Sequence, residues 1–145
     1  LATLTVGSKK VFFDVKGKDV RVRALELMSD KYGVKFSGED KAEFGKMESF
    51  GVPIGSLKQI LDMKPADRSK AGQPGIPKDS LDNQLADWIQ NARIANNELK
   101  DKELEIAIKG DAKEEYPVIR KVMDILQDQK INSFSLVTGL RGKEF

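Results

Sequence analysis

Four side chains follow one another closely enough to act together: Asp111, Glu114, Glu115 and Tyr116. Asp111 lies just past an apolar alternating run, where ligand-binding groups gather in α/β folds. The same carboxylate equally serves as a turn residue that accepts backbone N–H bonds. Glu114 and Glu115 can hold a cation, or complement the positive end of a helix. Tyr116 can present its hydroxyl to a ligand or partner, or pack across a sheet end. Asp79 and Asp82 resemble half a calcium loop, but the alternating Asp spacing and the later Glu are missing, so they read as capping residues. Trp88 falls at core spacing on an amphipathic stretch and reads as core, not as a sugar platform.

None of this makes a catalytic set. The chain has no cysteine and no histidine. That removes thiolate nucleophiles and the commonest general base, zinc ligand and pH switch. Walker and dinucleotide glycine motifs are absent, and the segment around Gly51 and Gly55 is too broken by Pro53 to cradle a phosphate. The reading is a non-enzyme with no catalytic residues, no metal site and no cofactor.

Composition sets further bounds. At 145 residues the chain can build one core, and two full domains would be tight. A third of the residues are charged, yet the net charge is only +2, which argues against a nucleic-acid partner. No apolar run reaches bilayer length, and no signal-peptide pattern opens the chain. The first residue is Leu1 rather than methionine, so a preceding segment is expected.

The elements that must position these residues follow from hydrophobic period. Leu104-Glu105-Ile106-Ala107-Ile108 alternates, giving a strand over residues 103–109. Val118, Ile119, Val122, Met123, Ile125 and Leu126 form one apolar stripe on a helix over 116–129, with Pro117 in its first turn. Asn132 is placed to make the left-handed turn that ends it. Phe134-Ser135-Leu136-Val137-Thr138 then reads as a second strand. Strand, crossover helix and strand make a βαβ unit with parallel strands.

Upstream, residues 2–6 and 10–15 alternate and read as a hairpin around Gly7-Ser8. Asp19 reads as the cap of a helix running to Tyr32, closed by Gly33. A short helix over 40–47 turns Phe44 and Met47 inward, and Phe50-Gly51-Val52-Pro53 is a break. Residues 56–63 form a helix on Leu57, Ile60 and Leu61. Residues 65–78, dense in proline and glycine, read as one long loop and the most mobile part of the chain. Ser80 caps a helix from Leu81 to about Asn96, with Asn96-Asn97 closing it. The fold class is α+β: a small mixed β-sheet, N-terminal hairpin plus C-terminal βαβ unit, with helices on one face and a helical insertion at about 18–80.

A resemblance runs through these motifs. Ile106-Ala107-Ile108-Lys109-Gly110-Asp111, Tyr116, Lys121-Val122-Met123-Asp124 and Phe134-Ser135-Leu136-Val137-Thr138, in that order, resemble the periplasmic domain of the ExbD/TolR family. The likeness covers the last third of the chain and, to a lesser degree, its first fifteen residues. Phe50-Gly51-Val52-Pro53, Gln73-Pro74-Gly75-Ile76-Pro77 and Trp88-Ile89 are similar to the long insertion of members from Bacteroidota-type bacteria. The resemblance implies a single such domain over 1–145. It would be anchored to the bacterial inner membrane by a preceding transmembrane helix and would lie on the periplasmic side. The implied partners are an ExbB-like channel subunit and a TonB-like transducer, in a proton-motive-force-driven complex for outer-membrane transport. The proton-carrying aspartate would sit in that preceding helix, so no residue here is assigned its role. A TolR-like grip on peptidoglycan is the rival implication; apart from the resemblance, a carboxylate-based hydrolase is a weaker rival reading. The hydrolase reading needs a deep pocket with two convergent carboxylates.

A small sheet of this kind has exposed edges, and unpaired edges invite a strand from a twin subunit or a partner peptide. The candidate partner-binding residues are therefore Tyr116, Phe134, Ser135, Leu136, Val137 and Thr138, with a homodimer expected. Arg141, Lys143 and Glu144 would be the residues to blunt that edge.

Overall fold

The computed structural model describes residues 1–68, 71–79 and 81–138. Strands β1 (Ala2–Gly7) and β2 (Lys10–Val15) form an antiparallel hairpin, with Ala2 opposite Val15 and Val6 opposite Val11. Its two-residue turn, Ser8-Lys9, has positive φ at both positions, the pattern that matches strand twist in tight hairpins. Strand β3 (Ile106–Lys109) lies parallel to β1, and β4 (Ser135–Val137) lies parallel to β3, in the order β2-β1-β3-β4. The expected parallel crossover is present, although both strands are shorter than residues 103–109 and 134–138.

Helices pack on one face of this mixed sheet. The inner face presents Ala2, Leu4, Val6, Val11, Phe13, Val15, Ile106 and Ile108, all buried. Helix α1 (Lys18–Tyr32) ends at Gly33 in the left-handed conformation, as its sequence dictates. Its N-cap, however, is Gly17 rather than Asp19. Asp19 lies inside the first turn, where its carboxylate accepts the Val20 N–H at 2.8 Å and suits the helix dipole.

Helix α2 (Gly38–Lys46) is fixed by a capping box. The Ser37 hydroxyl accepts the Asp40 N–H, and the Asp40 carboxylate accepts the Ser37 N–H. Phe44 is buried as expected, while Met47 caps the helix and packs partly buried against the core. Helix α3 (Ile54–Asp62) starts two residues earlier than its apolar spacing suggests, because Ile54 is buried with Leu57, Ile60 and Leu61. Residues 65–78 do not form one featureless loop: Pro65–Arg68 is a short helix, α4. Further on, Ile76 is 2% exposed and donates to Val11 O at 3.0 Å.

Helix α5 (Gln84–Lys100) is displaced from its expected span. Its N-cap is Asn83, whose side chain accepts the Ala86 N–H; Ser80 lies outside the described residues. Leu81 precedes the helix and is almost wholly exposed. The helix runs past Asn96-Asn97 to Asp101, which takes the left-handed conformation and donates to Asn97 O. Helix α6 (Tyr116–Asp128) opens with Pro117 in its first turn and buries Ile119, Val122, Ile125 and Leu126. It ends through Lys130 at φ 66°, not through Asn132.

An aromatic cluster joins these layers. Trp88 of α5 lies 4.8 Å from Phe50, 5.7 Å from Phe44 and 6.4 Å from Phe13, centroid to centroid. All four rings are at most 2% exposed. At about 25 cal/mol per Å² of buried apolar surface, such rings are among the largest single contributions to the core. The Trp88 indole N–H is buried without a hydrogen-bond partner, and the Phe50 ring meets Trp88 edge to face beside it. Arg21 closes the cluster. It is 3% exposed, its guanidinium lies 4.7 Å from the Phe44 centroid, and it donates to Phe44 O, Glu48 O and Val15 O. It also pairs with the Asp14 carboxylate at 2.6 Å. Burial pulls its pKa below the usual arginine value, and Asp14 opposes that shift.

Candidate functional site

The two edges of the sheet are unlike. On β2 each of the three outward-facing residues has a main-chain group already engaged. Phe13 exchanges two hydrogen bonds with Phe50, Val11 O accepts from Ile76 N, and Val15 O accepts from Arg21. On β4 every residue is exposed, and two of the three are apolar: Leu136 at 48% and Val137 at 37%. Among the described residues, β4 is the sheet edge with no strand or segment bonded to its outer side.

The direction of the β4 groups follows from one bond. Gly110 N donates to Val137 O at 3.1 Å. In a parallel ladder the N–H and C=O of one residue point to the same side and alternate along the strand. Ser135 and Val137 therefore face β3, and Leu136 turns its N–H and C=O outward. With Leu136 opposite Ile108, the Leu136 side chain projects on the helix-covered face, and those of Ser135 and Val137 project on the other.

Helix α6 forms the wall beside that edge. Gln129 Nε2 donates to Ala86 O, and Arg93 Nη1 donates to Gln129 O, so the Gln129 side of α6 faces α5. At 100° per residue, Tyr116, Arg120, Met123 and Gln127 fall on the opposite flank. Helix α5 reaches back to Phe13 of β2 through Trp88, so the free flank of α6 is the one on the β4 side. Tyr116 is 49% exposed there, at the end of the sheet where β3 gives way to Gly110. Its hydroxyl, and then the Asp124 carboxylate, hold the Arg120 guanidinium above the usual arginine pKa. Tyr116 and Leu136, far apart in sequence, thus belong to one surface: an apolar strand edge with a polar rim on the neighbouring helix. Phe134 is partly buried against the core and Thr138 is exposed. Arg141, Lys143 and Glu144 lie outside the described residues.

The acidic residues near α6 serve the backbone and the hairpin. The Asp111 carboxylate accepts the N–H groups of Lys113 and Glu114 at 2.8 and 3.2 Å, the turn role. Glu115 reaches across to the hairpin and accepts the Lys9 N–H at 2.8 Å. Asp79 and Asp82 pair as an isolated bridge, and Asp82 accepts from Gln84. Three of the carboxylates lining surface clefts are held in ion pairs: Asp19 by Lys100, Glu26 by Arg23 and Lys41, and Glu43 by Arg68. Among the described residues, no group of three or more acidic side chains is gathered as a metal site, and no helix is long and apolar enough to cross a membrane.

What sequence reading missed lies at β2. Phe50 was legible as a break, but nothing local showed that its backbone would bond to Phe13. The hint was a pair of glycines, Gly51 and Gly75, flanking segments that must lie close to a strand. Searches with this chain against protein-family models, curated proteins and solved structures find no match.

Proposed function

We propose that this domain binds an extended partner segment by strand addition at β4 and performs no chemistry of its own. The observation that carries this reading is the outward N–H and C=O of Leu136, on an edge that is open among the described residues while the opposite edge is occupied. The site is small. One outward residue supplies two main-chain hydrogen bonds, each worth about 1 kcal/mol net. A docking segment must therefore add apolar contact to Leu136 and to the Met123 flank of α6, and polar contact to Tyr116 and Arg120. The order of residues that resembles the ExbD/TolR family supports a more specific form of the proposal. In it the chain is the periplasmic domain of an inner-membrane energy-transduction subunit, working with an ExbB-like channel and presenting its open edge to a TonB-like transducer or to its own twin.

The geometry selects the test. Proline at Val137 would remove an N–H that faces β3 and damage the sheet, so it cannot report on the edge. Leu136→Pro removes an outward N–H instead, and edge strands tolerate that change. The expected result is a variant with parental circular dichroism that loses at least about tenfold in affinity for an apolar TonB-like peptide, the equivalent of about 1.4 kcal/mol. A folded Leu136→Pro variant that binds the peptide and self-associates as well as the parent overturns the proposal.

A further inference from the structure

The insertion carries a device that the β4 reading does not explain. Three alternate residues of β2, Val11, Phe13 and Val15, turn main-chain groups away from β1, and each meets a partner from elsewhere in the chain. Phe50 O accepts the Phe13 N–H at 2.8 Å, and Phe50 N donates back to Phe13 O at 3.0 Å. Ile76 N donates to Val11 O at 3.0 Å, and Arg21 covers Val15 O. The two insertion segments are also bonded to each other: Gly75 N donates to Gly51 O at 2.6 Å, and the Gln73 side chain accepts the Gly51 N–H at 2.8 Å.

This contact is built for close approach. A Cβ on Gly75 would stand 2.9 Å from Lys10 Cβ and 3.3 Å from Lys10 Cα, and Gly75 has φ +94°. A Cβ on Gly51 would stand 2.5 Å from the Phe12 ring. Only glycine lets both segments lie flat on β2. Phe50 is then locked from behind by Phe13, Phe44 and Trp88.

We infer that Phe50 and residues 73–76 act as a built-in surrogate strand that guards β2 against a second copy of this chain. A sheet open at both edges can add neighbours without end. A sheet open at one edge stops after a single addition. The insertion thus converts an edge-pairing module from one that propagates into one that closes. The guard itself rests on the β2 bonds alone; its role in limiting assembly rests on the β4 reading.

Gly75→Val tests the guard, because the new side chain meets the Lys10 backbone and expels residues 73–76 without touching the aromatic cluster. Sedimentation velocity is run on the parent, Leu136→Pro, Gly75→Val and the double variant, after circular dichroism and Trp88 fluorescence confirm the fold. The guard predicts larger, concentration-dependent species for Gly75→Val, and a gain in mass that persists in the double variant, where β4 is disabled. If Gly75→Val is folded and no larger than the parent, the inference fails. The double variant separates the two readings, since association through β2 there supports the guard even where β4 pairing has failed. Should Gly75→Val not fold, amide exchange on the parent decides. The Phe13, Phe50 and Ile76 N–H groups are expected to exchange at least about 100-fold more slowly than in an unfolded chain. Unprotected amides at those positions overturn the inference.

Discussion

Replacing Arg21 with methionine keeps the length and apolar stem of the side chain and deletes its guanidinium. In the parent that group donates to Phe44 O at 3.0 Å and Glu48 O at 2.9 Å, reaches Val15 O at 3.3 Å, and pairs with Asp14 at 2.6 Å. Hydrogen bonds to a charged donor are worth about 1.5–3 kcal/mol each, and buried carbonyls left unpaired are costly. Asp14 is 21% exposed at its side chain and regains water, so it offsets part of the loss. Counting the two good carbonyl bonds as lost, the expected destabilisation is about 3–5 kcal/mol, which is also the range for breaking a buried ion pair. For a domain of this size that is a large share of a total of about 7–15 kcal/mol. Urea unfolding followed by Trp88 fluorescence suits the measurement, because Trp88 is the only tryptophan and lies beside Phe44. Arg21→Lys should recover little, since an ammonium cannot fork to carbonyls on both sides. A loss below about 1 kcal/mol for Arg21→Met would refute the reasoning, and would place Arg21 with those buried ion pairs that apolar side chains replace at no cost.

Two further outcomes follow from single sites. Burial pushes the Asp40 carboxyl up, but hydrogen bonds from Lys58 and Ser37 outweigh it and hold its pKa below the usual value. Its contribution is therefore present above the ordinary aspartate pKa of about 3.9 and is lost as pH falls through the lower folded value; acid unfolding curves of Asp40→Asn should show a shallower decline in that window than the parent. Replacing Ser8-Lys9 with Asn-Gly puts residues that tolerate positive φ at both turn positions and keeps the main-chain N–H that Glu115 accepts, so it should raise stability by roughly 1 kcal/mol in the same urea assay; no gain would refute the strain argument.

Local pattern carried much of this fold. Alternation at Ala2, Leu4 and Val6, and at Val11, Phe13 and Val15, defines both hairpin strands, and Pro117 with the stripe through Leu126 defines the crossover helix. Boundaries that depend on caps were harder to read. Asn83 begins α5 because its side chain meets Ala86 N, and Lys130 ends α6 in a conformation usually left to glycine or asparagine. Arg21 was illegible for a different reason. A charged residue in a helix reads as surface, and the Asp14 carboxylate with three carbonyls from outside the helix makes its burial tolerable. The candidate site was half legible: Leu136 and Tyr116 could be named as candidates from the strand and the helix start. Which way Leu136 and Val137 point depends on register against β3, and no single strand contains that information.

The position of β1 has a consequence for how the chain reaches this structure. It precedes the other described strands in the chain, yet it is an interior strand of the sheet, and its second neighbour begins at Ile106, opposite Ala2. Ninety residues separate Val15, the end of the hairpin, from Ile106, and until they have been made the hairpin has a bare flank where β3 will lie. Helices α1 and α2 and the hairpin can meanwhile gather around Phe13, Phe44 and Phe50, all of which precede β3 in the chain. The last third must then dock onto a half-finished sheet by a long-range, parallel pairing, the slowest kind of step in folding. During that wait the chain exposes on β1 the same type of edge that, among the described residues, β4 presents in the finished fold, so the interval before β3 docks is when β1 is open to mispairing.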